Sequence, residues 1–149
     1  MMNTETFAFI GLIVNGIATL LLYSTVLEMR KGTYAQAFKA ALDILQQEDV
    51  RNARKFLFRE LEKKPYQDWS QEDRDKAEIV GYTYDALGMM IRHKMLLRQH
   101  IDSWDRSIRE SWKILEPMAE DYREQKGFKE RWEDYEKLAT HSDEVLEEF

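Results

Sequence analysis

The 149-residue chain contains no cysteine, which excludes disulfide frameworks, cysteine-ligated zinc or iron–sulfur sites and thiolate nucleophiles. It has only two prolines and six glycines, too few turn-formers for many short strands, while 34% of its residues are charged. Long helices follow from that balance, and the expected fold class is all-α. Histidine is scarce as well. None of His93, His100 and His141 has a glutamate three residues earlier, so the Glu-x-x-His template of di-metal bundles fails. There is no glycine-rich phosphate loop and no Gly-x-Ser-x-Gly nucleophile turn. The chain is therefore expected not to be an enzyme, and no catalytic, cofactor-binding or metal-binding residue is assigned. His100, Asp102 and Asp105 lie close together, but aspartates around a helix start serve as caps; His93, between Arg92 and Lys94, is expected to face solvent. A net charge of −6 argues against a general nucleic-acid binder.

The apolar residues are unevenly placed. From Phe7 to Leu27 the chain runs 21 residues without a charge, and a helix of that length, rising ~1.5 Å per residue, covers the ~30 Å hydrocarbon core of a bilayer. A cleavable signal would need a basic start, a shorter run and a small-x-small exit. Residues 1–6 carry no lysine or arginine, and the run leaves through Ser24-Thr25-Val26-Leu27-Glu28. The segment thus reads as an uncleaved transmembrane anchor. Arg30, Lys31 and Lys39 follow it and only Glu5 precedes it, which places the N-terminus outside and the rest in the cytoplasm of a cell inner membrane.

Within the segment, Ala8, Gly11, Asn15, Ala18, Leu22 and Thr25 recur at steps of three and four. Five of these six are small or polar, and such stripes permit close approach of a second membrane helix. Asn15 is the sharpest member, because a carboxamide facing lipid tails is costly to leave unpaired. Beyond the anchor (1–29) come a juxtamembrane helix (30–48), a helical domain of four to five helices (49–140) and an acidic tail (141–149). Residues 28–64 hold nine basic and six acidic side chains; residues 116–149 hold five and twelve. The basic part is the one next to the anchor, as suits an anionic leaflet.

Ala37, Ala40, Ala41, Leu42, Ile44 and Leu45 supply the apolar surface of the juxtamembrane helix. Asp49 is the expected cap of the next, in which Val50, Ala53, Leu57 and Leu61 share one face. Arg51, Lys55, Arg59 and Lys63 recur every fourth residue on the other side; with Arg30 and Lys31 they are candidates for anionic lipid headgroups, against the plain alternative of a solvated face. Ser70 with Asp73 reads as a short-chain capping box opening a helix whose Ala77, Val80, Tyr84, Leu87 and Ile91 turn inward. On the margin of that face Gly81 and Gly88 invite close approach by another helix. Glu78 and Asp85 lie beside them, and an ion pair of Asp85 with Arg54 is expected to fix register. Ile101, Trp104, Ile108, Trp112, Leu115, Ala119 and Tyr122 form a long stripe, with a kink expected at Pro117. Gly127 is the expected stop, and Phe128, Trp132, Tyr135 and Leu138 make a last short helix.

The ordered motifs Arg51-Asn52-Ala53-Arg54, Trp69 to Asp73, Glu78 to Gly88, Trp104 to Ile108, Trp112 to Pro117 and Trp132 to Tyr135 resemble a prokaryotic domain-of-unknown-function family. The resemblance covers Val50 to Ala139. It implies one N-terminal membrane helix and a small cytoplasmic helical domain, and it carries no activity or ligand. The functional expectation is a structural or accessory subunit that docks on a membrane protein complex or on copies of itself. A sensor or effector component of a regulatory or defence system is the alternative.

Overall fold

The computed structural model describes the backbone of residues 4–125 and 128–140, with side chains from residue 15 onward except Gln125. Those residues are all-α, with no strand among them. Helix α1 spans Thr4–Gln46, α2 Glu48–Arg59, α3 Gln71–Arg92, α4 Asp105–Gln125 and α5 Glu133–Thr140. The chain divides into two units, one ending at Gln36 and one beginning at Ala37. α1 therefore runs unbroken past residue 29, where the juxtamembrane helix was expected to start. Among the described residues no helix is long and apolar enough to cross a membrane. The apolar run Phe7–Leu27 lies only in part within them, since side chains are described from Asn15 onward.

The second unit is built on fourth-residue spacing. Ala37, Ala41 and Leu45 are buried along the end of α1, and Val50, Ala53 and Leu57 along α2, with Leu61 just beyond it. These faces meet Ala77, Val80, Tyr84 and Leu87 of α3 and Ile108, Trp112, Leu115, Met118 and Ala119 of α4 in one core. Gln47 alone links α1 to α2 and occupies the cap position; Asp49 lies inside the first turn, where its Oδ1 accepts from the Val50 amide at 2.8 Å. Its acidity there complements the helix dipole instead of capping. The capping box of α3 forms as read: Ser70 Oγ accepts from the Asp73 amide at 3.2 Å, and Asp73 Oδ2 accepts from the Ser70 amide at 2.8 Å. Asp73 also holds Lys64 Nζ at 2.6 Å.

The placements of Trp104 and Phe128 differ from expectation. Trp104 ends a 3-10 segment, Arg98–Trp104, before α4 begins, and is half-buried at the edge of the core. Pro117 lies inside α4, which continues through it to Gln125. Both Lys113 and Pro117 are exposed, so the carbonyl deprived of its amide can be hydrated. Phe128 lies before α5 and is 56% exposed, while Trp132, Tyr135 and Leu138 are buried. Gly127 and the acidic tail 141–149 lie outside the described residues.

The glycine expectation holds. A Cβ at Gly81 would overlap the indole of Trp132, and one at Gly88 would overlap the backbone of Asp134, so α5 rests directly on the backbone of α3. Trp132 reaches its place with a φ of 56°, a left-handed conformation that turns the chain into α5. Around Gly32 there is open space. Gly88→Ala should lower the thermal midpoint by the equivalent of ~1–3 kcal/mol, because backbone cannot yield as a side chain can. Gly32→Ala should leave it unchanged or raise it. In the core, Trp112→Ala should cost ~3–5 kcal/mol in urea unfolding and half-buried Trp104→Ala clearly less; equal losses would contradict this placement.

Candidate functional site

Three groups of residues come into question. The first is the stripe of α1. Ala8 and Gly11 have side-chain positions outside the described residues; Asn15, Ala18, Leu22 and Thr25 are exposed. The hydroxyls of this stretch are satisfied by their own helix: Thr19 donates to the Asn15 carbonyl, and Ser24 and Thr25 to that of Leu21, each at 2.8 Å. Back-bonding of this kind removes the penalty for a hydroxyl in an apolar medium. The Asn15 carboxamide has no such partner among the described residues.

The second group is basic. Arg51, Lys55 and Arg59 are exposed on α2, each a little over one turn from the next. Lys63 keeps the four-residue step but lies in a 3-10 turn, Leu61–Lys63, beyond the helix end. None of the four has an ion-pair partner among the described residues. Several other surface cations are matched: Lys39 by Asp43 at 2.8 Å, Lys76 by Glu72 at 2.7 Å, Arg92 by Asp134 at 2.7 Å and Lys113 by Glu110 at 2.9 Å; Lys94, Arg106 and Lys129 are exposed without an ion-pair partner among the described residues, but they do not line up in a row. Lys31 pairs with Glu28 at 3.0 Å, whereas Arg30 is exposed. The α2 face thus presents uncompensated positive charge.

The third group is the expected ion pair, and the structure does not bring Arg54 and Asp85 together. Arg54 Nη2 donates to the Leu45 carbonyl at 3.4 Å, over the last turn of α1, and its buried Nη1 has no partner. A cation there satisfies a carbonyl that the helix cannot. Asp85 faces α5 instead and accepts the Tyr135 amide at 3.0 Å, so it caps the α5 N-terminus from another helix. Glu78 has partners that no local pattern announces: Tyr122 Oη at 2.7 Å and Arg131 Nη2 at 2.9 Å. The Arg131 guanidinium lies 4.6 Å from the ring centres of both Tyr82 and Tyr122. Burial and the bond to Glu78 push the Tyr122 phenol well above its ordinary value. Tyr66 is pushed up to about 12 by burial and by its 2.7 Å bond to Asp121. These groups hold helices together.

His93 is exposed. Asp105 pairs with Arg98 and, at 2.7 Å, with Arg109, which fills a 520 Å³ surface cleft with mutually neutralising charge. A 470 Å³ cleft beside it mixes Glu62, Arg106 and Glu110 with Phe58, Ser103 and Ser107. Among the described residues no three acidic or histidine side chains are grouped to hold a metal ion. No family profile, curated protein or solved structure matches the chain. The α2 face is therefore the best-defined candidate surface of the second unit.

Burial pushes the Asp85 carboxyl above its ordinary value and nearby Asp134 acts in the same direction, against the pull of the α5 amides. The folded protein thus binds the Asp85 proton more tightly than the unfolded chain does. Its contribution is present in full below the unfolded value and declines as pH rises through the folded one. Asp73 is opposite: Lys64 and Ser70 lower it, and its stabilisation is lost as pH falls through its folded value. Asp85→Asn should remove the first slope and leave neutral-pH stability unchanged or higher. Asp85→Ala, which loses the cap, should cost ~1–2 kcal/mol in urea unfolding.

Proposed function

We propose that this chain is a non-enzymatic single-pass membrane protein, an accessory or structural subunit that docks on a membrane protein complex or on copies of itself. The observation that carries the reading is the uncharged run from Phe7 to Leu27, at the head of a helix that continues to Gln46. Its length matches a bilayer core, and the hydroxyls at Thr19, Ser24 and Thr25 are bonded within the helix, as a lipid environment requires. Arg30 and Lys31 at the exit favour the orientation with the N-terminus outside the cell inner membrane. On this reading the uncompensated cations of α2, Arg51, Lys55, Arg59 and Lys63, serve anionic lipid headgroups, each Lys or Arg near the surface contributing ~1 kcal/mol. The stripe Ala8, Gly11, Asn15, Ala18, Leu22 and Thr25 faces another membrane helix.

The chain should remain in membranes after alkaline carbonate washing, with its C-terminal domain protected from external protease in intact cells. Recovery as a processed protein in the wash overturns the anchor. Gly11→Leu together with Asn15→Leu should retain insertion and reduce copurification of the partner in mild detergent. An unchanged partner set and crosslinking pattern means that the stripe faces lipid.

A further inference from the structure

The outer face of α3, opposite its buried row, carries a second surface that is only partly covered: Ile79 packs against the edge of the core and Tyr82 against Trp132, and the rest is open. Asp75, Ile79, Tyr82, Ala86 and Met89, with His93 at the C-cap just past the helix end, follow one another at alternating steps of four and three, the spacing of a coiled-coil seam. In a folded domain such a seam is ordinarily covered. Here Tyr82 is 49% and Met89 46% exposed, Ile79 and Ala86 are half-buried, and Asp75 and His93 lie open at the two ends. The Tyr82 ring is held by Arg131 on one side and by the edge of Trp132, at 6.1 Å, so it stands as a fixed feature.

The face is also palindromic. Tyr82 and Ala86 lie two residues on either side of Tyr84, Ile79 and Met89 five, and Asp75 and His93 nine. Turned end for end, the face presents large apolar to small or flexible apolar, and acid to base. We propose that a second copy of this chain docks here, α3 against α3 in antiparallel sense, with Tyr82 opposite Ala86 of the other copy and Ile79 opposite Met89. An isologous contact needs this self-complementarity, because each residue meets its counterpart twice. Charge agrees with the register. Among the described residues Asp75 holds only the neutral Gln71 amide at 2.7 Å; in this register it would meet His93 and Lys94 in the turn that ends α3, both exposed and without a partner among the described residues. Lys76 and Arg92, brought near each other by the same register, are already paired with Glu72 and Asp134. Four apolar positions per copy cover less than the ~800 Å² per partner of a standard interface, so the dimer is a weak, concentration-dependent one.

This contact specifies the self-association left open above, but it lies in the second unit and holds whether or not the first spans a bilayer. The chain has no cysteine, so introduced thiols report without background. In the full chain in mild detergent, Tyr82→Cys mixed with Ala86→Cys, and Ile79→Cys mixed with Met89→Cys, should give crosslinked dimers with a short bis-maleimide. Glu116→Cys, exposed on α4, should not. The α3 crosslinks should persist in the Gly11→Leu, Asn15→Leu background, which separates this contact from any membrane-helix contact. Asp75→Lys or Lys94→Glu alone should weaken dimerisation about tenfold, and the two together should restore it, a rescue that misfolding cannot produce. Met89→Glu should weaken it with an unchanged helical circular-dichroism spectrum. The proposal is overturned by a monomer at all concentrations, by crosslinking at Glu116 equal to that at α3, by loss of the α3 crosslinks in the Gly11, Asn15 background, or by a charge reversal that does not rescue.

Discussion

A Cβ at Gly81 would collide with the Trp132 indole at the entry to α5, and one at Gly88 with the backbone of Asp134 inside it, and on that close approach the rest of the domain depends. α5 has only eight residues, too few to persist as an isolated helix. Its neighbours hold both of its ends. Asp85 of α3 accepts the Tyr135 amide at the start, and Arg98 Nη1 donates to the Leu138 carbonyl at 3.2 Å near the finish. Arg92 grips Asp134 through two bonds of 2.7 and 2.9 Å. With the ends satisfied, Trp132, Tyr135 and Leu138 close the core over α3 and α4. The left-handed turn at Trp132 is the local strain that this arrangement tolerates.

Buried polar groups of the core follow the same economy. Tyr84 and Ser107 share a 2.8 Å bond, and Ser111, fully buried, meets the Tyr135 hydroxyl at 2.6 Å. Each bond ties α4 to a different neighbour, so the phenols that fill the core also fix its register. The indole N–H groups of Trp112 and Trp132 are buried without an acceptor among the described residues, a cost set against the packing of two large rings. Arginines do comparable work at helix ends: Arg54 on the Leu45 carbonyl and Arg123 on that of Arg131, the latter at 2.8 and 3.0 Å.

Where charge is not consumed in this way, it marks surface open to partners. Arg51, Lys55, Arg59 and Lys63 stand in a row with no ion-pair partner among the described residues, and the outer α3 face keeps its acid and its bases at opposite ends. The two surfaces have different chemistry. A row of like charge suits a diffuse anionic surface such as the one proposed for lipid, whereas a palindromic apolar seam suits a copy of itself.

The sequence by itself determined what is settled within a turn or two of chain. The helical face Val50, Ala53, Leu57 and Leu61, the Ser70–Asp73 capping box and the inward row of α3 are consequences of 3.6-residue periodicity and of hydrogen bonds three residues long. The glycine notches were legible too, because a glycine inside a helix needs a packing reason. Which helix fills them was decided only by tertiary structure. Asp85 finds Tyr135 50 residues away and Glu78 finds Arg131 at 53, separations over which no pattern in one chain selects a partner. Arg54 was assigned to Asp85 from helix faces alone, but rotation of α2 against α1 and α3 turns it to the end of α1. Trp104 lies in a 3-10 segment that ends before α4 and is half-buried at the edge of the core, a boundary that the apolar spacing alone did not mark. The α3 seam could be seen as core or as surface from sequence alone; only the packing of α2, α4 and α5 on the other sides of that helix leaves it open to water.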